Sequence, residues 1–274
     1  MSRVHVFTRE CKSALTRSKI PSLDYALNPY IGCEHGCVYC YATFMARFAR
    51  VEGEWGGFVG IKENAPAVLE REIPRRRPGV VCLGTVCDAY QPMERKTRLS
   101  RACLEAFVGA DGFEVGILTK SDLVLRDLDV LSRLESPDVG FTITCLDDGL
   151  ARAVEPVAPP PRRRLDAMKE LAARGIPVWG FLGPVLPALA DSEDAIAEVI
   201  REMDRAGASH VLVDRMNLYP KVWRRFRALV SRAFPDRLEA LSAIRRAPGT
   251  YDAELTERVR AAARSVGVEA DVCF

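Results

Sequence analysis

Three cysteines lie within a segment of eight residues in the first fifth of this chain. They are Cys33, Cys37 and Cys40, so they are separated by three residues and then by two. Thiolates are soft ligands, which bind iron–sulfur clusters, zinc or cuprous ion in preference to hard cations. Gly32 and Gly36 allow the tight backbone turns that wrapping around a metal centre demands. The spacing therefore predicts a thiolate metal site.

The number of thiols bears on the kind of metal site. A structural zinc ion closes with four ligands, usually as two short pairs, and no second Cys-x-x-Cys pair occurs in this sequence. Ferredoxin-type clusters use four cysteines each. Three adjacent thiolates favour a cubane cluster with one iron left open, and an open metal position is typical of a catalytic site. The alternative interpretations are a zinc knuckle or a chance group of buried cysteines.

The remaining sequence alternates short apolar segments with segments of helical periodicity. We predict strands at 26–31, 80–85, 114–119, 139–145, 177–182 and 210–214. Helical spacing of apolar residues follows at 99–108, 123–134, 165–173 and 196–203. This alternation is typical of an α/β fold with a parallel sheet and helices outside it. In parallel barrels the chemistry lies at the carboxyl ends of the strands, where the Cys33–Cys40 loop follows the first one.

The domain organisation follows from the same pattern. We predict a lead-in at residues 1–24 that covers one end of the fold, and one core barrel at 25–217. A carboxyl-terminal helical extension at 218–274 is predicted to hold helices at 223–234 and 255–266 around an irregular stretch, with a short strand at 268–272.

Composition limits the protein class without identifying a partner. Hydrophobic content is 48% and charged content 28%, as in a globular protein with a full core. The net charge of +2 neither demands nor excludes an anionic partner. The longest uncharged run has 16 residues with three prolines, so we predict no membrane segment. Nine cysteines without an apolar signal region predict reduced thiols and a cytoplasmic protein.

The cysteine spacing, with the aromatic Tyr39 before the last cysteine, resembles the signature of the radical S-adenosylmethionine (SAM) superfamily. The longer phrase at 28–41 resembles the subgroup related to spore photoproduct lyase. Further resemblance runs through 84–94, 118–121, 126–127, 155–164, 175–177 and 184–187. The resemblance implies a partial (β/α)6 TIM-like barrel, a [4Fe–4S] cluster on Cys33, Cys37 and Cys40, and SAM as cofactor.

The resemblance also implies an enzyme. In this family the amine and carboxylate of SAM chelate the open iron, and an external flavodoxin- or ferredoxin-like donor supplies one electron. SAM is then cleaved, and the resulting 5′-deoxyadenosyl radical abstracts hydrogen from the substrate.

Eight residues are predicted to hold SAM on this basis: Tyr39, Thr85, Asp88, Lys120, Thr142, Thr144, Arg164 and Val185. Lys120 is a suitable point charge for the carboxylate of SAM, and Arg164 is a second candidate. Thr85 and Asp88 are expected to accept hydrogen bonds from the amine of SAM.

Thr142 and Thr144 alternate along the fourth predicted strand and face one side, toward the carboxylate or ribose of SAM. Tyr39 or Val185 is predicted to form an apolar wall beside the adenine. The alternatives are a solvated lysine, ordinary strand threonines and a surface arginine.

The candidate hydrogen donors differ from those of spore photoproduct lyase. That enzyme returns a hydrogen atom from a cysteine at the position that aligns with Thr85 here. Cys87 lies two residues further on, and in an extended segment it would share the same face. Cys145 at the end of the fourth predicted strand is a second candidate. The alternative is that both are small, inert, buried thiols.

Basic runs at 75–77, 162–164, 224–225 and 245–246 are candidates for following a phosphate backbone. Their positive charge is offset elsewhere in the chain, since the sequence has 39 basic and 37 acidic side chains. Three hypotheses stay open: a radical SAM enzyme acting on nucleic acid, one acting on a peptide, protein or small molecule, and a non-catalytic iron–sulfur or zinc protein. Oligomeric state is not predicted.

Overall fold

The structure is a computed structural model that describes residues 4–49 and 53–274. It contains eleven strands among these residues: β1 (His5–Thr8), β2 (Leu15–Arg17), β3 (Tyr25–Leu27), β4 (Tyr30–Ile31), β5 (Phe58–Ile61), β6 (Val80–Leu83), β7 (Glu114–Thr119), β8 (Ser136–Thr142), β9 (Val178–Val185), β10 (Val211–Arg215) and β11 (Ala270–Val272).

Eight of these strands form one sheet in the order β11-β10-β9-β8-β7-β6-β3-β2. All neighbours in it are parallel except β2, which pairs antiparallel with β3 at one edge. The six predicted parallel strands are confirmed as β3 and β6 to β10. Their succession with intervening helices confirms the α/β class and the partial (β/α)6 barrel.

The first predicted strand, 26–31, is divided between two sheets. β3 pairs with β6 in the larger sheet, whereas β4 pairs antiparallel with β5 in a three-stranded sheet of order β1-β5-β4. Pro29 lies in the break and has no N–H for a strand ladder. The sequence did not predict β5, because four consecutive buried residues carry no periodicity that distinguishes a strand. β4 ends two residues before Cys33, so the small sheet positions the cysteines.

Eleven α-helices occur in the described part of the chain: α1 (Ala46–Ala49), α2 (Ala65–Glu72), α3 (Glu94–Thr97), α4 (Leu99–Glu105), α5 (Leu128–Leu131), α6 (Asp148–Val154), α7 (Pro161–Ala173), α8 (Glu193–Arg205), α9 (Pro220–Ala233), α10 (Leu238–Arg246) and α11 (Pro248–Val266). Short 3₁₀ helices lie at Tyr41–Met45, Ile73–Arg75, Asp122–Asp127 and Pro235–Arg237. The predicted helix at 123–134 is thus divided between a 3₁₀ helix and the one-turn α5, and it ends at Leu131.

The carboxyl-terminal segment differs from the prediction at one helix and agrees with it at one strand. The stretch predicted as irregular forms α10, which has a single buried residue, Leu241, and therefore a weak apolar signal. The predicted strand at 268–272 is present as β11, and it pairs with β10 at the edge of the larger sheet. The segment after residue 217 therefore contributes to the sheet as well as packing on it.

The main core fills the space between the larger sheet and its helices. Its fully buried members include Phe141 on β8, Met168 on α7 and Ile200 on α8. The lead-in at 1–24 supplies β1 to the small sheet and β2 to the edge of the large one. No helix among the described residues is both long and apolar enough to cross a membrane.

Candidate active site

The loop that carries the three predicted metal ligands joins β4 to the 3₁₀ helix Tyr41–Met45. Cys33 and Cys37 are buried, Cys40 is half-buried, and all three are free thiols. Gly32 and Gly36 have φ of +86° and +62°, which confirms the predicted tight turns. We call residues 33–40 the cysteine loop.

A neighbouring segment after β6 holds the cysteine loop in place through Gln91. The backbone N–H of Glu34 donates to Gln91 Oε1 at 2.9 Å, and Gln91 Nε2 donates to the carbonyl of Gly32 at 3.3 Å. Gln91 is fully buried. An amide that both accepts from and donates to one loop sets the position of that loop, a role the sequence did not predict.

Asp88 connects three segments at the carboxyl edge of the sheet. Its Oδ1 accepts from Thr119 Oγ1 at 2.7 Å and from the N–H of Tyr90 at 2.8 Å, and its Oδ2 accepts from the N–H of Lys120 at 2.7 Å. His35 Nδ1 of the cysteine loop lies 3.3 Å from Oδ2, in an electrostatic contact that is not aligned as a hydrogen bond.

These contacts decide the protonation and the role of Asp88. Burial alone would raise the pKa of Asp88, but the attraction of His35 and the hydrogen bonds from Lys120 and Thr119 outweigh it and hold the pKa well below its usual range. Because protein groups surround both carboxylate oxygens, the structure favours a positioning role for Asp88 over the predicted contact with the amine of SAM.

Lys120 follows β7 and faces the cysteine loop. Its Nζ lies 5.8 Å from the centroid of the Tyr39 ring, within reach of a cation–π interaction. Burial acts to lower the pKa of Lys120. The neighbouring Cys37 and Glu155 act to raise it and outweigh burial, so the pKa of Lys120 is raised. The structure thus brings together Lys120, Tyr39 and Cys37, three of the residues predicted for the site.

Arg164 is a buried partner of Glu155 rather than an exposed charge at the mouth of the barrel. Its Nη2 donates to Glu155 Oε2, its Nη1 to the carbonyl of Thr142 at 3.0 Å and its Nε to the carbonyl of Pro159 at 2.8 Å. Both Arg164 and Glu155 are 1% exposed. Since all three nitrogens of Arg164 have protein partners, the structure favours an indirect role over the predicted contact with the carboxylate of SAM.

Glu155 links that arginine to the cysteine loop, because its Oε1 accepts from the hydroxyl of Tyr39. Burial acts to raise the pKa of Glu155, but the charges of Arg164 and Lys120 outweigh it and lower the pKa. The sequence placed Glu155 in a matching block without giving it a role, because the pairing joins residues more than a hundred positions apart.

Thr85 and Cys87 lie on the segment after β6, and Asn28 orders them. Asn28 Nδ2 donates to Thr85 Oγ1 at 2.9 Å, and Asn28 Oδ1 accepts from the N–H of Val86 at 2.9 Å. Cys87 Sγ donates to the same oxygen at 3.6 Å. Cys87 is buried in the same apolar cluster as Cys33, so the candidate hydrogen donor and a candidate metal ligand share one part of the interior.

The remaining predicted residues lie at the ends of β8 and β9. Thr142 ends β8, and Thr144 and Cys145 follow it outside the strand; all three are buried. Cys145 packs in the apolar cluster that contains Cys37 and Tyr39. Val185 ends β9 and belongs to the main core, whereas its neighbour Leu186 packs with Tyr39.

The carboxyl-terminal helix α9 also reaches the cysteine loop. Arg225 Nη2 donates to the carbonyl of Gly36 at 3.3 Å, and Nη1 is buried with no hydrogen-bond partner among the described residues. Burial lowers the pKa of Arg225, while Cys40 and Cys37 act to raise it. The sequence offered only the Arg224–Arg225 run as a signal, and that run did not indicate contact with a loop 189 residues away.

The residues present fit a negatively charged thiolate-bound centre. Burial raises the pKa of Cys37 to about 12 and raises that of Cys40, while Lys120 acts to lower both. The thiols must therefore release protons on binding metal, and Lys120 and Arg225 are placed to offset the negative charge that results. Within residues 4–49 and 53–274, no three His, Cys, Asp or Glu side chains converge as ligands of a single metal ion.

Known proteins share both this sequence pattern and this fold. The chain is 34% identical over 241 residues to an uncharacterized protein of Methanocaldococcus jannaschii, covering 88% of each chain. It is 32% identical over 265 residues to an uncharacterized protein of Mycobacterium tuberculosis, covering 91% of this chain and 77% of that protein.

Two solved structures share the fold at low sequence identity. Spore photoproduct lyase complexed with dinucleoside spore photoproduct matches with a TM-score of 0.71 and 16% identity, over 98% of this chain and 82% of that one. SuiB of Streptococcus suis bound to S-adenosylmethionine matches with a TM-score of 0.54 and 12% identity, over 99% of this chain and 47% of that one.

The family model of the radical SAM superfamily matches residues 27–199, which is more than half of the chain and includes the cysteine loop, Asp88, Lys120 and the Glu155–Arg164 pair. The non-catalytic hypothesis is therefore set aside: the chain belongs to the radical SAM superfamily and is an enzyme of that superfamily, with structural similarity to spore photoproduct lyase.

Proposed function

We propose that this enzyme holds a [4Fe–4S] cluster on Cys33, Cys37 and Cys40 and acts on a nucleic acid. When bound, the cluster and SAM together would supply a 5′-deoxyadenosyl radical that abstracts hydrogen from the substrate. The observation that carries the proposal is the cysteine loop itself, which presents three free thiols at the carboxyl edge of a parallel sheet, opposite Lys120 and Arg225.

The chain's own residues would bind and orient SAM. Lys120 is the candidate for the carboxylate, because its ammonium lies over the ring of Tyr39 in the cysteine loop, 5.8 Å from the centroid. Tyr39 is the candidate apolar wall, with Glu155 and Arg164 fixing its orientation. Thr85, Thr142 and Thr144 stay predictions as hydrogen-bonding partners of SAM.

The nucleic-acid part rests on two supports. The first is the structural similarity to spore photoproduct lyase, whose structure contains a dinucleoside photoproduct. That similarity by itself concerns the fold. The second is the basic character of α9, which contacts the cysteine loop through Arg225. An external flavodoxin- or ferredoxin-like electron donor is part of the same proposal. So is a cytoplasmic location, where thiols stay reduced.

The direct test is reconstitution of the purified protein with iron and sulfide under anaerobic conditions, followed by dithionite and SAM. We expect about four irons per chain and formation of 5′-deoxyadenosine. Alanine variants of Cys33, Cys37 and Cys40 should each lose the cluster absorbance, whereas Cys103→Ala, a buried thiol remote from this loop, should retain it. Full iron content in any of the three variants would contradict the ligand assignment.

The substrate is tested by adding trial substrates to the same assay. Ultraviolet-irradiated DNA is the first choice, with undamaged DNA, RNA and a peptide mixture as comparisons. We expect a nucleic acid to stimulate formation of 5′-deoxyadenosine and to acquire a chemical change. Stimulation by the peptide mixture alone would replace the proposed substrate class with peptides and leave the cofactor chemistry standing.

Cys87 and Cys145 are proposed as candidate hydrogen donors. Cys87 belongs to the apolar cluster that contains Cys33, and Cys145 belongs to the one that contains Cys37. In deuterated buffer a donor thiol would pass deuterium to the product, and its replacement by alanine would abolish that incorporation. Unchanged turnover and unchanged incorporation in both variants would remove thiols from the reaction.

A further inference from the structure

The exposed aromatic side chains of this protein are confined to two places. Among the described residues, four Phe, Tyr or Trp side chains are exposed: Tyr41, Phe44, Phe48 and Tyr219. Three of them lie on the 3₁₀ helix Tyr41–Met45 and on α1, and Tyr219 immediately precedes α9. A folded protein gains nothing in stability from rings left in water, so their confinement to these two elements indicates a surface that binds a partner.

Arginine side chains accompany these rings. The guanidinium of Arg47 lies 4.6 Å from the centroid of the Phe48 ring and 5.5 Å from that of Phe44. Arg9 Nη1 donates to the carbonyl of Phe48 at 2.6 Å and so supports the end of α1. Arg47 is exposed and forms no ion pair with an acidic side chain in the described part of the chain.

Helix α9 adds a stripe of positive charge. It contains five basic residues and no acidic ones. None of the five takes part in an ion pair within residues 4–49 and 53–274, whereas α4, α7, α8, α10 and α11 each have an arginine that does. Val222 and Phe226 form its buried face, and Lys221, Arg224 and Arg227 recur at three-residue spacing on its exposed face.

The two elements flank the cysteine loop. The 3₁₀ helix begins at Tyr41, directly after Cys40, and α9 packs against that 3₁₀ helix and contacts the loop through Arg225. We define the aromatic–basic surface as Phe44, Arg47, Phe48, Lys221, Arg224 and Arg227.

We infer that the aromatic–basic surface binds a single-stranded segment of nucleic acid and presents it to the site at the cysteine loop. Exposed rings interleaved with arginine match the stacking of successive bases, and an unpaired basic stripe matches the phosphate backbone. An acidic protein would be complementary to the cations but would leave the rings without a matching role. The inference rests on the proposed function, which it deepens by naming the strandedness of the substrate and the surface that binds it.

Binding is measured by fluorescence anisotropy with a fluorescein-labelled single-stranded oligothymidylate and the reconstituted enzyme, over a range of salt concentrations. We expect the double variant Phe44→Ala/Phe48→Ala to weaken binding by about thirtyfold or more, because loss of stacking on an aromatic ring weakens binding at least about fivefold per base. Its dependence on salt should match that of the wild type.

The charge variant Arg224→Glu/Arg227→Glu should instead reduce the salt dependence. For single strands the slope of log affinity against log salt is about 0.7 per phosphate contact, so two lost contacts lower it by about 1.4. The matched control is Arg75→Glu/Arg77→Glu, which makes the same change of charge before β6, at the amino edge of the sheet. The control should bind the oligonucleotide like the wild type.

Three results would overturn the inference. The first is no binding by the wild type at low salt. The second is equal weakening by the control, which would indicate a general charge effect. The third is unchanged oligonucleotide binding in the Phe44/Phe48 variant together with slower reduction by flavodoxin, which would make the surface a docking site for the electron donor.

Wild-type 5′-deoxyadenosine formation, measured in parallel, separates this inference from the proposed function. Binding without that product would remove the proposed cofactor chemistry alone. The product without binding would remove the inference alone.

Discussion

Removal of the Glu155 carboxylate is the perturbation for which the structure allows the most detailed prediction. Glu155→Ala leaves Arg164 as a buried cation without its carboxylate partner, and both residues are 1% exposed. Breaking a buried ion pair in this way typically costs about 3–5 kcal/mol of unfolding free energy. Two other nitrogens of Arg164 keep carbonyl partners, at Thr142 and Pro159. We therefore expect the unfolding free energy to fall by about 3 kcal/mol, the lower end of that range.

A double replacement separates loss of pairing from loss of packing. In Glu155→Leu/Arg164→Met no charge is left buried, so the unfolding free energy should exceed that of Glu155→Ala. Glu170→Ala is the matched control, because it breaks an ion pair with Arg174 in which the two side chains are 45% and 57% exposed. Exposed pairs contribute at most about 1 kcal/mol.

The assay is urea unfolding of the reduced, metal-free protein, followed by tryptophan fluorescence. Metal is left out because binding to the folded state alone adds stability. A loss for Glu155→Ala that does not exceed the loss for Glu170→Ala would refute the reasoning. So would a double variant less stable than Glu155→Ala, since the buried unpaired charge would then not be the cause.

Three further predictions concern other parts of the molecule. Lys120→Ala should weaken SAM binding by about tenfold or more in an isothermal titration, and the variant should retain its iron. Lys169→Ala on α7 is the control. Equal affinities of Lys120→Ala and the wild type for SAM would remove Lys120 from the SAM site. Burial acts to raise the pKa of Glu72, but hydrogen bonds from the N–H groups of Leu15 and Ala14 outweigh it and lower the pKa. The stabilisation of the folded state by Glu72 is therefore present above the ordinary pKa of glutamate and is lost as the pH falls through the lowered pKa. Glu72→Gln should flatten the acid side of the unfolding profile, and an unchanged profile would show that Glu72 is not responsible. Gly56→Ala should lower the unfolding free energy more than Gly109→Ala does. Both glycines have positive φ, but only at Gly56 of the two would a Cβ lie 2.8 Å from another backbone atom, Gly36 Cα. Equal unfolding free energies of the two variants would contradict the close approach.

Short, continuous apolar runs predicted the parallel part of the fold, because both faces of each of these strands are buried. The segments that became β7 and β10 were located to within one residue at each end, since continuous apolar runs leave little ambiguity there. β5 and α10 were missed because each gives a weaker signal. The first is a short buried run without a period, and the second has a single buried residue.

The sequence also indicated which residues surround the site, but less often what they contact. Lys120 and Tyr39 were predicted as cofactor residues, and the structure brings them together. Asp88 and Arg164 were predicted to contact SAM, and the structure surrounds both with protein partners instead. Those partners come from segments distant in the chain, and no local pattern encodes such a pairing.

By itself, the sequence predicted a thiolate metal site, because three thiols at fixed spacing lie on one short loop and need no long-range contact to be near one another in the chain. It determined the strand-ending segments that face that loop for a similar reason, since parallel strands bring their carboxyl ends to one edge. Only the tertiary structure decided that Arg225 of α9 reaches the loop, that Glu155 links Arg164 to Tyr39, and that the exposed rings lie beside a basic helix. Each of these contacts joins residues far apart in the chain, and their proximity depends on how the helices pack around the sheet.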